Sequence, residues 1–136
     1  MSNYKIEDIE GIGPALVEKF RSAGVKDTAS LLAECNTPKK RKAMAEKTGI
    51  PEAQILKFTN MADLYRIKGV GSEFAQLLEA AGVDTVPELA KRKAENLAQT
   101  MSELNAKKKL TRIVPSSKQV TDWIEQAKSL ARVISY

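Results

Sequence analysis

The chain is 136 residues long, with 22 basic and 17 acidic side chains, a formal charge of +5 and a pI near 9.3. It contains no histidine and a single cysteine, which argues against the commonest general base, an internal disulfide and a cysteine-built zinc site. No stretch approaches the roughly 20 apolar residues of a membrane span, and the opening Met-Ser-Asn-Tyr-Lys-Ile-Glu-Asp lacks the apolar centre of a secretory signal, so a cytoplasmic protein with no membrane contact is expected.

Tyr4, Ile6 and Ile9 lie on a short segment that leads into Gly11-Ile12-Gly13. Gly-x-Gly ahead of a helical pattern reads as a tight turn, with the middle side chain pointing inward. Pro14 suits the first helical position, and Leu16, Val17, Phe20 and Ala23 recur at helical spacing, predicting a helix over 14–23. Gly24 stands where a helix ends in the left-handed region, with Val25 placed for the apolar contact beyond it. Asp27 is an N-cap type and opens a helix from about Thr28 to Glu34 carrying Leu31 and Leu32. Cys35 follows on that apolar face and reads as a small buried hydrophobe rather than a reactive thiol. Thr37-Pro38 starts the next helix, which runs to Thr48 before Gly49 and whose first turn is Lys39-Lys40-Arg41-Lys42. Pro51 begins another, carrying Ile55, Phe58, Met61, Ala62 and Tyr65.

From Ile67 the pattern starts again. Gly69-Val70-Gly71 and Ala81-Gly82-Val83 each stand 58 residues after their counterparts, and Phe74, Ala75 and Leu78 answer Leu16, Val17 and Phe20. A fixed-offset echo is a repeated structural unit, which divides the chain into residues 1–64 and 65–136 within one compact body. Thr85 with Glu88 has capping-box spacing, opening a helix near 87–92, and a further helix near 95–104 places Leu97, Met101 and Leu104 on one face. The copies then diverge. Val114-Pro115 follows Ile50-Pro51 by 64 residues, so a short insertion has entered, carrying Lys107, Lys108, Lys109 and Arg112. The last helix, about 117–134, carries Val120, Trp123, Ala127 and Leu130, with Trp123 answering Phe58 at a spacing of 65. No strand pattern competes, so the class is all-α. The C-terminal helix is expected to pack beside Tyr4–Ile9 and the first turn, closing the two repeats into one pseudo-twofold globule.

A glycine turn, an amphipathic helix ending in Ala-Gly-Val, and the same again after Gly69 resemble tandem helix-hairpin-helix motifs. As a whole the chain resembles an uncharacterised bacterial family of small tandem helix-hairpin-helix domains of unknown function. The resemblance implies two hairpin repeats packed as a SAM-like helical globule. It also implies that turn amides are candidates to meet a phosphate of duplex nucleic acid, although many such hairpins only join helices or bind proteins.

The two turns differ in what surrounds them. N–H groups at a helix start, with the positive end of its dipole, form an anion site. Glu7, Asp8 and Glu10 approach the first turn and Pro14 removes a donor, so Gly11, Ile12 and Gly13 are the weaker candidates. Arg66 and Lys68 flank the second, where Ser72 keeps its N–H and adds a hydroxyl, although Glu73 follows. Candidate nucleic-acid contacts are therefore Arg66, Lys68, Gly69, Val70, Gly71 and Ser72, with Lys107, Lys108, Lys109 and Arg112, and more weakly Lys39, Lys40, Arg41 and Lys42. Basic runs neutralise phosphates without reading sequence, though such a run also serves as a solvated helix face. The scarcity of aromatic residues disfavours a stacking platform for single strands. Neither glycine turn has the further glycine or strand context of a dinucleotide site, and no phosphate-binding loop sequence occurs. The residues argue against catalysis and the basic balance permits nucleic-acid binding, so with what the resemblance implies the expectation is a non-enzymatic, cofactor-free module that touches double-stranded DNA without sequence preference. The alternative is a protein-interaction or scaffold module in which the hairpins are structural.

Overall fold

Backbone punctuation decides where the helices begin and end. The computed structural model describes residues 3–136, in which a 3-10 turn at Ile6–Asp8 precedes α1 (Pro14–Ser22), α2 (Thr28–Cys35), α3 (Pro38–Thr48), α4 (Glu52–Leu64), α5 (Ser72–Ala80), α6 (Val86–Ala90), α7 (Ala94–Lys108) and α8 (Ser117–Ser129). Among the described residues there is no strand, only an isolated antiparallel pairing of Lys5 with Asp27. The class is all-α. No helix is long and apolar enough to cross a membrane.

The ends of α1 and α5 are built alike. Gly24 and Gly82 lie at φ +90° and +88°, and the next amide in each case, Val25 or Val83, donates back to Phe20 or Leu78 at 2.8 and 2.9 Å. The bond from five residues on, with Gly24 and Gly82 donating to Arg21 and Glu79, satisfies the carbonyls a helix end leaves open. The helix starts differ. At α2 the Asp27 carboxylate accepts from the Ser30 N–H at 2.8 Å in a reciprocal capping box. The capping box expected from Thr85 and Glu88 does not form. Thr85 makes no side-chain cap, and the first amide of α6, Val86, donates instead to the buried carboxylate of Asp63 at 2.8 Å.

α4 packs on α2 and α3, and α8 packs on α6 and α7. Their buried positions, Ile55, Phe58, Thr59 and Ala62 on one and Val120, Trp123, Ile124 and Ala127 on the other, keep a spacing of 65 throughout. Each helix also pushes an aromatic ring under a glycine turn. A Cβ on Gly11 would stand 3.3 Å from the Phe58 ring, and one on Gly69 would stand 3.1 Å from Trp123 Nε1. The last helix therefore lies under the second turn, and the expectation that it packs beside Tyr4–Ile9 and the first turn is wrong. The physical reason is that α6 and α7 offer α8 its apolar surface directly, and Trp123 fits only where Gly69 carries no side chain.

Closure between the ends of the chain comes from the residues beyond α8, which stops at Ser129 rather than near 134. The segment after it is extended. Arg66 Nη2 donates to the Ala131 carbonyl at 2.9 Å, Arg41 Nη2 donates to the Ser135 carbonyl at 2.7 Å, and the Ser135 N–H donates to the Asn36 carbonyl at 2.9 Å. Buried apolar residues from Ile6 to Ile134 form one continuous core.

Candidate nucleic-acid interface

The second turn is set by what lies beneath it. Gly69 adopts φ +95°, a backbone region open chiefly to glycine, and stands over the Trp123 indole. Val70 is fully buried and its N–H is spent on the Ile67 carbonyl at 3.1 Å. Both atoms of the Lys68 peptide are held by one side chain: its N–H donates to Gln126 Oε1 at 2.8 Å, and Gln126 Nε2 donates to its carbonyl at 3.1 Å. The Lys68 ammonium is left at the surface. Gly69 and Val70 thus shape the turn and offer nothing to a ligand beyond exposed glycine backbone.

Gly71 is different. It is the N-cap of α5 at φ −104° and ψ −163°, ordinary extended backbone, and a Cβ there would meet nothing within 4 Å. Neither conformation nor packing calls for a glycine at this position. The N–H groups of Gly71, Ser72 and Glu73 have no protein partner among the described residues, so the positive end of α5 faces open space. Near the Ser72 hydroxyl lies the buried Tyr65 phenol, which donates to the Asp8 carbonyl ahead of the first turn at 3.4 Å and whose pKa burial pushes upward. Gly13 repeats the pattern at the first turn, with φ −88° and open space around it. There Pro14 supplies no donor and Glu7, Asp8 and Glu10 are exposed nearby.

The inserted segment is a built loop that reaches the start of α5. Asn105, buried at the end of α7, accepts the Thr111 N–H at 2.9 Å and donates to the Thr111 carbonyl at 3.1 Å. This clasp holds Lys107, Lys108 and Lys109 outward. Lys109 takes φ +50°, the sole non-glycine residue with positive φ among the described residues, and its N–H closes the helix on the Asn105 carbonyl. Beyond the clasp, Arg112 Nε reaches the Glu73 carboxylate at 3.7 Å. Both side chains are exposed, so the pair adds little stability, but it joins the loop to the start of α5, where Glu73 is one acidic group and Glu10 of the first turn borders the cleft beside Gln76. Lys108 sits farther along, bordering a cleft with Glu10, Gly11 and Gln76.

Two of the basic candidates are not available to a ligand. Arg66 is buried, with Nη1 on the Asp63 carboxylate at 2.8 Å and Nη2 on the Ala131 carbonyl. Asp63 in turn caps α6, so the pair ties the end of α4 to α6 and to the C-terminal segment. Arg41 is also buried, donating to the carbonyls of Cys35 and Ser135 at 3.0 and 2.7 Å with the Tyr136 ring 5.9 Å away. Both arginines hold carbonyls of the segment beyond α8, Ala131 and Ser135, and Arg41 also the last carbonyl of α2, a fixed-fork role in the interior, where Arg66 Nε has no partner among the described residues. Lys39, Lys40 and Lys42 are exposed on α3, with Lys40 Nζ on the Ala33 carbonyl at 2.8 Å. α3 packs on α2 and α4, so the structure does not join this run to the second turn. Ile12 is buried and its N–H is spent on Ile9. Exposed Gly11, at φ +93°, is shaped by Phe58.

Sequence reasoning missed Asn105 and Gln126, which hold the loop and the turn, and Asp63, which holds Arg66 and the first amide of α6. Asp63 alone left a signal, as the lone charge in Met61-Ala62-Asp63-Leu64-Tyr65, since a charge buried among apolar residues needs a partner. Cys35 is fully buried, and burial pushes its thiol up to about 11, so it is protonated and inert at neutral pH. Among the described residues no cluster of three or more His, Cys, Asp or Glu side chains gathers to hold a metal.

No curated protein and no solved structure matches the chain. A family profile does, over residues 10–130, a range that takes in both glycine turns, all eight helices and the inserted loop. The chain belongs to that family, the domain of unknown function DUF4332.

Proposed function

We propose that a helix-hairpin-helix corner has been duplicated in this chain, and that the second copy binds the phosphate backbone of duplex DNA without sequence preference. The protein acts as a non-enzymatic, cofactor-free module of the cytoplasm. The observation that carries this reading is Gly71. It is a glycine the fold does not require, at the start of a helix whose first amides have no protein partner among the described residues, with no atom within 4 Å of where a side chain would begin. Glycine there lets an anion come close to the backbone. Lys68 and the clasped loop with Lys107, Lys108, Lys109 and Arg112 supply positive charge on either side, and each phosphate neutralised adds to the salt dependence.

The test is a fluorescence anisotropy titration of a short DNA duplex at several salt concentrations. Binding is expected in the micromolar range, with a log–log salt slope of about −4 for roughly four to five neutralised phosphates. Lys68→Glu and the combined Lys107→Glu, Lys108→Glu and Lys109→Glu variant should each weaken it severalfold or more. Absence of binding at low salt, or binding indifferent to salt, would overturn the reading. Arg66 is unsuited to such a test because reversing it would disrupt the core. The alternative, a protein-interaction module with structural hairpins, draws on the exposed apolar pair Ile113 and Val114 beside the same loop. It would show as duplex-independent capture through that pair.

A further inference from the structure

A groove of about 550 Å³ runs along α1, bordered by Ile12, Pro14, Val17, Glu18 and Arg21, with Glu7 from the preceding segment. The equivalent strip of α5, 58 residues on, is not open in the same way. There Glu79 meets Lys57 of α4 at 3.9 Å. Glu10 and Gly11 of the first turn, with Lys57 and Met61, face Gln76, Glu79 and Ala80 across a cleft of about 310 Å³. One contact between the halves is therefore made by one side of α4 and a glycine turn against the strip on α5, with Lys108 and Leu110 of the inserted loop at its edge.

Both sides of that contact have uncovered counterparts at the ends of the molecule. The strip recurs as the groove on α1. The α4 side recurs on α8, where the constant spacing of 65 between buried positions fixes the register. In that register Lys57 corresponds to Asp122, which is exposed, and Glu79 corresponds to Arg21, also exposed. The internal pair Lys57–Glu79 thus becomes Asp122–Arg21: both signs are reversed and the attraction is kept. Glu10 and Gln76 correspond in the same way to Lys68 and Glu18, a second pair of opposite charge, and both are exposed.

We propose that the chain associates head to tail with a second copy of itself, α8 and the second turn of one copy docking on the α1 groove of the next, with Asp122 facing Arg21. The inference rests on the duplication proposed above and not on nucleic-acid binding. The interface is heterologous, so it propagates into chains or rings rather than closing as a twofold dimer. It is also weak. Arg21 must leave or share its exposed partner Glu7, now at 2.8 Å, and the outward face of α8 is polar, the usual character of a repeat array's end. The α4 side of the internal contact carries Met61 and, beside Glu79, Ala53 and Leu56, where α8 has polar residues, so the match α8 keeps is one of charge.

Sedimentation of the full chain, without nucleic acid, from micromolar to millimolar concentration tests this. The weight-average mass should rise with concentration and rise less at high salt. Arg21→Asp and Asp122→Arg should each lower the association constant by about tenfold or more, because each brings like charges together. An equimolar mixture of the two variants, and the double Arg21→Asp/Asp122→Arg variant, should regain it. Both positions are exposed, and unchanged thermal melts of the variants confirm that the fold is kept. A wild-type chain that stays monomeric throughout, single variants that associate as well as wild type, or a mixture that fails to recover would overturn the proposal. Duplex titration of Arg21→Asp separates the two readings, since Arg21, whose partner is Glu7, touches neither Gly71, Lys68 nor the clasped loop, whereas Asp122 shares the Gln126 amide with the Lys68 carbonyl.

Discussion

Gly69 and Gly71, two residues apart, answer to different constraints, and that difference is measurable. Gly69→Ala forces a side chain into a left-handed backbone and against Trp123, and should cost roughly 1–3 kcal/mol in urea unfolding. Gly71→Ala meets open space at an ordinary φ; its gain through the unfolded chain is offset by the poorer N-cap that Ala makes, so stability should change by less than about 0.5 kcal/mol, while the added methyl lowers duplex affinity. Equal destabilisation by both would remove the case that Gly71 serves a ligand. Asp63 belongs to the core instead. Asp63→Ala strips Arg66 of its counter-charge and Val86 of its acceptor, and should cost about 3–5 kcal/mol, read as a large fall in the thermal midpoint with no specific effect on binding once folded. At this scale the sequence was only partly legible. The left-handed glycines were readable because a Gly at a helix end has few other uses. The burial of Arg66 and Arg41 was not, because their partners include carbonyls of Ala131 and Ser135, far along the chain.

Helices were legible where their start and stop signals are local. Thr37-Pro38 and Gly49 bound α3 as expected, Gly24 and Gly82 close α1 and α5, and Pro14 opens α1. Where a boundary depends on a distant group the reading failed, as at α6, whose first amide is capped by Asp63, and at the end of α8, where the chain straightens to meet Arg66 and Asn36. The capping box of α2 carries its own pH dependence. The hydroxyl and N–H of Ser30 hold the Asp27 carboxyl below its ordinary value of 3.8. The stability this provides is complete above that value and is lost as pH falls through the lower folded value. Urea midpoints from neutral into acid should therefore decline less for Asp27→Asn than for wild type, since the amide keeps the cap without titrating. Parallel declines would mean that the cap contributes nothing to acid sensitivity.

At the scale of the whole molecule, the fixed spacing between the two glycine turns was visible in the sequence, but the packing of the helices around them was not. Spacing says that α8 corresponds to α4; it does not say which turn α8 lies under, because that is decided by the surface of α6 and α7 and by the room above Gly69. The candidate site shows the same division. The choice of the second turn over the first followed from the charges around each, whereas Asn105 and Gln126, which hold the loop and the turn in place, act through backbone contacts that no pattern announces. The most direct measurement is an NMR amide titration of the labelled chain with a short DNA duplex. The account predicts that the resonances of Gly71, Ser72 and Glu73 shift first and furthest, followed by Lys68 and residues 107–112, and that salt reverses the shifts. Shifts confined to α3 or to the first turn, or none at low salt, would contradict it.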